Sequence, residues 1–253
     1  MDDAGLTSAL CELGVRRGSV LIVHASLRDS GLRDTDLLHA LRTALGREGT
    51  LIVPAFTPEN SDTSRAHRAA TSAMTALERE AFRASMPPFE RASTGCPTMG
   101  LFAEHVRTVP DAVRSDHPQT SFAGLGLRAV ELLGGHDVRC HLGERSPLAR
   151  LYEAEADVLL FRVGFEVCSA FHLAEYRTAR PARTRNYRCV VERKGNWISY
   201  EDIELDDSDF AAVGAALPRG LVAESEMAGR PVALVSMRDA VDHARTYMAK
   251  YRR

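Results

Sequence analysis

The chain has 253 residues, 45% of them apolar, 26% charged and 6% aromatic, with 32 basic and 34 acidic side chains and a net charge of −2. That is enough chain to bury a substantial core, and the near-balanced charge excludes the strongly basic field of a nucleic-acid or membrane-surface binder. The longest apolar runs, such as 21–23 and 158–161, are far too short to cross a bilayer. Met1-Asp2-Asp3 lacks the basic and apolar regions of a secretory leader, and the five scattered cysteines (Cys11, Cys96, Cys140, Cys168, Cys189) suit reduced thiols better than a disulfide framework. A cytoplasmic protein is therefore expected.

In chain order, residues 6–13 read as a short helix and 19–23 as a compact strand ending at His24. Residues 35–45 place Leu37, Leu38, Leu41, Ala44 and Leu45 at helical spacing, with Gly46 as the stop. A second strand spans 50–56. The polar stretch 58–97 holds one helix near 71–84 and has the character of a lid or substrate loop. Helices follow at 98–107 and 127–133, the latter stopped by Gly134-Gly135, and Ser146-Pro147 opens another over 147–156. Next come a strand at 157–163, a helix at 169–178 and a hairpin of 187–192 with 197–203 around Lys194-Gly195-Asn196. The chain closes with a helix at 208–217, a strand at 232–235 and a helix at 236–253. Alternating helices and strands, without repeat or linker, imply a single α/β domain over 1–253.

Four segments carry candidate chemistry. His24-Ala25-Ser26-Leu27-Arg28-Asp29-Ser30-Gly31 follows the first strand, where ligands sit in open α/β sheets. Its amides and hydroxyls could hold a phosphate, or it is a turn with a capping serine. Arg114 through Ala123, with His117, Ser121 and Phe122, is either an ordered polar loop or a ligand loop in which Phe122 faces an adenine or a pantetheine arm. His172 and Glu175 share a helix face, so a carboxylate could fix the imidazole tautomer for general-base work. The pair could equally be structural, with Glu175 bonded to Arg177 or Arg180. His136, Cys140 and His141 lack the second pair a tetrahedral metal site needs, so no metal is expected. The acidic run Glu201, Asp202, Glu204, Asp206, Asp207, Asp209 reads as a solvated turn after the hairpin, or as a face toward a cationic substrate.

Taken in order, Val23-His24-Ala25-Ser26-Leu27, Gly49 through Pro54, Pro97-Thr98-Met99-Gly100, Arg114 through Ala123, Gly143 through Tyr152 and His172 through Arg177 resemble the aminoglycoside 3-N-acetyltransferase family over almost the whole chain. The resemblance implies a three-layer α/β/α fold with a central mixed, mostly parallel sheet plus a late hairpin. It implies acetyl-CoA as co-substrate, held by His24, Ala25, Ser26, Leu27 and Ser30 and by Arg114, His117, Ser121 and Phe122. His172 is then the base, with Glu175 orienting it, and the partner is a small amine, with a homodimer left open. Two segments depart from the family pattern, Phe165 through Phe171 and Phe89-Glu90-Arg91, both where the acceptor amine is expected. The acceptor is thus an aminoglycoside or another amine met in biosynthesis. Competing functions are a hydrolase using Ser26, His172 and Glu175, and a CoA binder without activity.

Overall fold

The computed structural model describes residues 3–179 and 182–252. Arg180, the alternative partner for Glu175, lies outside them, as do Met1, Asp2 and Arg253. A seven-stranded sheet forms the middle layer, in the order β3 (Val113–Arg114), β4 (Phe122–Gly126), β2 (Thr50–Pro54), β1 (Val20–Ala25), β5 (Asp157–Phe161), β9 (Arg230–Ser236), β8 (Val222–Met227). The core trio β2-β1-β5 is parallel, with Ile22 opposite Ile52 on one side and Val158 on the other. The flanking strands pair antiparallel. Buried on both faces, β1, β2 and β5 are continuous apolar runs, as strands covered twice must be.

Alternate residues of each strand feed two cores. Val20, Ile22, Ile52, Val158 and Leu160 pack with α6 (Ala129–Leu133), α7 (Pro147–Glu153), α8 (Ala170–Arg177), α9 (Phe210–Ala215) and α10 (Met237–Tyr251). Leu21, Val23, Leu51, Val53 and Leu159 pack with α1 (Asp3–Leu13), α2 (Asp34–Leu45) and α5 (Gly100–Thr108). Each such fully buried side chain contributes about 1.5–3 kcal/mol. The fold is the three-layer arrangement expected. The hairpin β6 (Thr184–Val190) with β7 (Trp197–Ile203) forms its own sheet with a small core of Tyr187, Cys189 and Tyr200. Where the sequence suggested one helix in 58–97, there are a 3-10 turn at Pro58–Asn60 and two helices, α3 (Arg65–Ala70) and α4 (Ala76–Ser85).

Three strands were not visible in the sequence: the two-residue β3, and β4 and β8. β4 reads Phe-Ala-Gly-Leu-Gly, because a Cβ at Gly124 would run into Ile52 and one at Gly126 into the Gly49 carbonyl. Close approach to β2 selected glycine over the residues that signal a strand. β8 is an exposed edge strand whose Glu224, Ser225 and Glu226 conceal its pairing with β9.

Candidate active site

α8 begins after β5 and a 3-10 turn at Phe165–Val167, which sets His172 at the carboxyl edge of the parallel trio. Its Nδ1 lies 2.6 Å from Glu175 Oε2, three residues on, the spacing that stacks side chains on one helix face. Glu175 is almost wholly buried, at 3% side-chain exposure. Its other oxygen accepts from Arg252 Nη1 at 2.5 Å and from the Asp206 amide at 3.0 Å. Arg252 in turn donates to Asp209 through Nε at 2.8 Å. Burial alone would lower the Arg252 pKa, but Asp209 and Glu175 outweigh it and raise it. Arg177 is engaged elsewhere, forking onto Glu144 at 2.6 and 3.0 Å. Glu175 is thus bonded through both oxygens, to His172 Nδ1 through one and to Arg252 and the Asp206 amide through the other. The His172 ring rests against Phe210, centroids 4.7 Å apart.

Two cavities meet at this imidazole. The first, about 390 Å³, lies over the carboxyl ends of β1 and β2 beside the start of α5 and is walled mainly by Val23, Ala25, Pro54, Phe102, Val167 and Phe210. The second, about 550 Å³, lies between α3 and the hairpin and is walled by polar groups, among them Arg65, Arg68, Gln119, His141, Arg185 and Glu204. Phe56, Met99, His172 and Asp207 belong to both.

The residues expected to hold the co-substrate separate. His24 and Ala25 line the first cavity. His24 is buried, its Nε2 is enclosed without a partner, and burial first and His172 second push its pKa down to about 4, so it is neutral. Ser26, Leu27 and Ser30 line neither cavity. The Ser26 and Arg28 carbonyls accept from Arg162, at 3.2 and 2.8 Å, Leu27 packs against the core below α2, and Ser30 Oγ closes its own turn onto the Leu27 carbonyl.

Arg114, His117, Ser121 and Phe122 are placed in the interior. All four are buried and outside both cavities. Arg114 donates to Ser121 Oγ at 2.9 Å, to the Ala55 carbonyl at 2.7 Å and to the Thr94 carbonyl, tying the long loop to the sheet. Phe122 is a strand residue set edge-on against Phe56, so it offers no face to an adenine. His117 lies between the rings of His136 and His141 and accepts from the amides of Gln119 and Thr120, both at 3.1 Å. The polar density of this segment serves the interior; Gln119 and Thr120, between the expected residues, are the ones that reach the second cavity.

The acidic run is not simply solvated. Asp202 is buried beneath the hairpin, 2.8 Å from His141 Nδ1 and from the Tyr176 hydroxyl. Burial opposes its charge, yet those bonds outweigh it and hold the carboxyl below its usual range, while burial keeps His141 neutral. His136 bonds Ser115 Oγ and the carbonyls of Cys140 and His141, so the His136–Cys140–His141 group is committed to protein partners. The two departing segments lie apart from each other. Glu166 and Val167 line the first cavity, Phe165 stacks on Phe171 at 5.8 Å, and Phe89 packs under the Arg114 guanidinium at 4.9 Å. The structure contributes Asp206, Asp207, Asp209, Phe210 and Arg252. The i, i+3 pairing of His172 with Glu175 was visible in sequence, whereas nothing local links it to an arginine 77 residues on.

A sequence profile for aminoglycoside 3-N-acetyltransferase matches residues 22–249. The prophage-derived aminoglycoside N(3')-acetyltransferase-like protein YokD of Bacillus subtilis (strain 168) is 32% identical over 94% of this chain and 89% of its own. Its crystal structure superposes with a TM-score of 0.91, covering 99% of this chain and 94% of that one. Aminoglycoside N(3)-acetyltransferase III of Pseudomonas aeruginosa is 30% identical over 81% of this chain and 75% of its own. A structure of AAC-IIIb in binary complex with CoASH, 24% identical and with a TM-score of 0.84, covers 99% of this chain and 97% of that one and shares its fold. With the fold, the profile and these relatives in agreement, the chain belongs to the aminoglycoside 3-N-acetyltransferase family of acetyl-CoA-dependent N-acetyltransferases.

Proposed function

We propose that His172 is the general base of acetyl transfer, that the first cavity takes the acetyl-bearing arm of acetyl-CoA, and that the second takes a small amine, an aminoglycoside or a related amine-bearing natural product. The observation that carries this is the position of His172 on the wall shared by both cavities, with Nδ1 tied to a buried carboxylate. The first cavity fits a thioester arm because its walls are mostly apolar and its enclosed polar atom, His24 Nε2, lacks a protein partner. Acetyl-CoA supplies the acetyl thioester, whose carbonyl carbon gains the C–N bond as its C–S bond breaks.

The residues of the chain handle the protons. An ammonium cannot attack, so His172 Nε2 removes one proton from it. Glu175 takes the Nδ1 proton of His172 and stabilises the resulting imidazolium, and Arg252 holds the Glu175 carboxylate in place. The imidazolium then passes that proton to the departing thiolate, and the second proton of the new amide nitrogen leaves to solvent. Ser26 lines neither cavity, so a Ser26–His172 hydrolase has no geometric support.

The test is thiol release from acetyl-CoA against a panel of amines. His172→Asn is expected to lose about 10²–10⁴-fold in kcat while staying folded, and Ser26→Ala to keep wild-type turnover. A folded His172→Asn protein with wild-type turnover overturns the assignment.

A further inference from the structure

The second cavity has the wrong charge for a polycation. Three guanidinium groups, Arg65, Arg68 and Arg185, face two carboxylates, Glu204 and Asp207. An aminoglycoside carries several ammonium groups, and a site built for one is expected to be lined by an excess of acid. The pairing of these charges is also loose. Arg65 Nη1 is 4.0 Å from Asp207, and Arg185 Nη1 is 4.0 Å from Glu204, beyond hydrogen-bond reach in both cases. Arg185 is held in place through its other nitrogen, donating to the Thr63 carbonyl at 2.7 Å, and it stacks over Tyr187 with its carbon 4.7 Å from the ring centroid. Arg68 has no hydrogen bond or ion pair with another side chain among the described residues. It lies three residues after Arg65 on α3, one turn along the same face.

The charges are sorted in space. Asp207 stands with His172 on the wall common to both cavities, where the reacting ammonium must arrive. Arg65, Arg68 and Arg185 line the second cavity but not the first, away from that junction, with Glu204 the one carboxylate among them. We infer that the acceptor is zwitterionic: a primary amine, received between His172 and Asp207, on a molecule that also carries a carboxylate or phosphonate received by Arg68 and Arg185. Guanidinium forks match the two or three oxygens of such an anion. This rests on the acetyl-transfer assignment above and narrows its acceptor.

The experiment is the thiol-release assay on the full chain with acetyl-CoA and matched acceptors. The set comprises ω-amino carboxylates and aminoalkylphosphonates of increasing length, the amides or esters that remove the anion, and gentamicin and sisomicin as polycations. The anionic member of the best pair is expected to exceed its neutral counterpart in kcat/KM by about tenfold or more. Arg68→Gln and Arg185→Gln are each expected to erase most of that ratio through KM rather than kcat, and Arg47→Gln, on a turn at the opposite end of β2, to leave it unchanged. Turnover of an aminoglycoside or a neutral amine at or above the anionic acceptors overturns the inference and leaves acetyl transfer standing. Absence of thiol release with every acceptor, equal in wild type and His172→Asn, overturns both.

Discussion

Glu175→Gln isolates the electrostatics of the site, because the substitution keeps the shape of the side chain and removes only its charge. The native carboxylate accepts three bonds, from His172 Nδ1 at 2.6 Å, Arg252 Nη1 at 2.5 Å and the Asp206 amide at 3.0 Å. A glutamine has one acceptor oxygen. If that oxygen keeps Arg252 and Asp206, its NH₂ faces His172 and forces Nδ1 to accept, so the proton moves to Nε2 and the nitrogen facing the cavities is no longer a base. If the amide turns round, its NH₂ faces two buried donors, at about 1–3 kcal/mol for each unmet group. The first arrangement wins. The imidazolium also loses its counter-charge. Together these predict a fall in kcat of about 10²–10⁴-fold, with KM for acetyl-CoA little changed because Glu175 lines neither cavity. Arg252 retains Asp209, which limits the loss of stability to about 1–3 kcal/mol. Thiol-release kinetics measure the first effect, thermal unfolding the second. A Glu175→Gln protein that melts as wild type and keeps kcat within about threefold would refute the proposed role of the dyad.

Four further outcomes follow from the same geometry. Arg114→Met leaves the Thr94 carbonyl without its donor and the Ala55 carbonyl with Ser121 Oγ alone, and is expected to lower the melting temperature by several degrees, about 1–3 kcal/mol; a folded variant with only a raised KM for acetyl-CoA would place Arg114 in the binding site. Gly143→Ala directs a Cβ into the Tyr176 ring, whose hydroxyl reaches buried Asp202, and is expected to destabilise by about 1–3 kcal/mol in denaturant titration. His24→Phe removes the one enclosed polar atom of the first cavity and is expected to raise KM for acetyl-CoA more than KM for the amine. The buried histidines also make folding stability acid-sensitive. Burial lowers His24 and His136 to about 4 from 6.5, and His117 well below its usual value. The unfolded chain therefore binds more protons than the folded one between pH 6.5 and 4, so stability falls as pH drops through that window, by up to about 3 kcal/mol for each such histidine. Urea titrations at pH 7, 6 and 5 check this, and a flat midpoint would contradict it.

Apolar periodicity and family motifs made the layered fold legible. The runs that became β1, β2 and β5 are apolar because helices cover both faces, and Gly46 and Ser146 marked helix ends through their own local chemistry, a positive φ of 67° in one case and a hydroxyl accepting from Leu148 N in the other. The His172–Glu175 pairing was legible because both residues lie within one helical turn. Elsewhere a local pattern could not say which polar residues point inward. Arg114, His117 and Ser121 have the composition of an anion-binding loop, yet Arg114 and Ser121 are consumed by the Ala55 carbonyl, 59 and 66 positions away, and His117 Nδ1 by the amides of its own turn.

What the sequence by itself determined is therefore most of the helices, the buried central strands and the nearest-neighbour dyad, since these rest on spacings of two to four residues. The tertiary structure alone decided that Arg252 bonds Glu175, that Asp202 is a buried partner of His141 and not a surface acid, and that two cavities share His172. The two bonds join residues 77 and 61 positions apart, and only the packing of α8, α10 and the hairpin brings them within bonding distance.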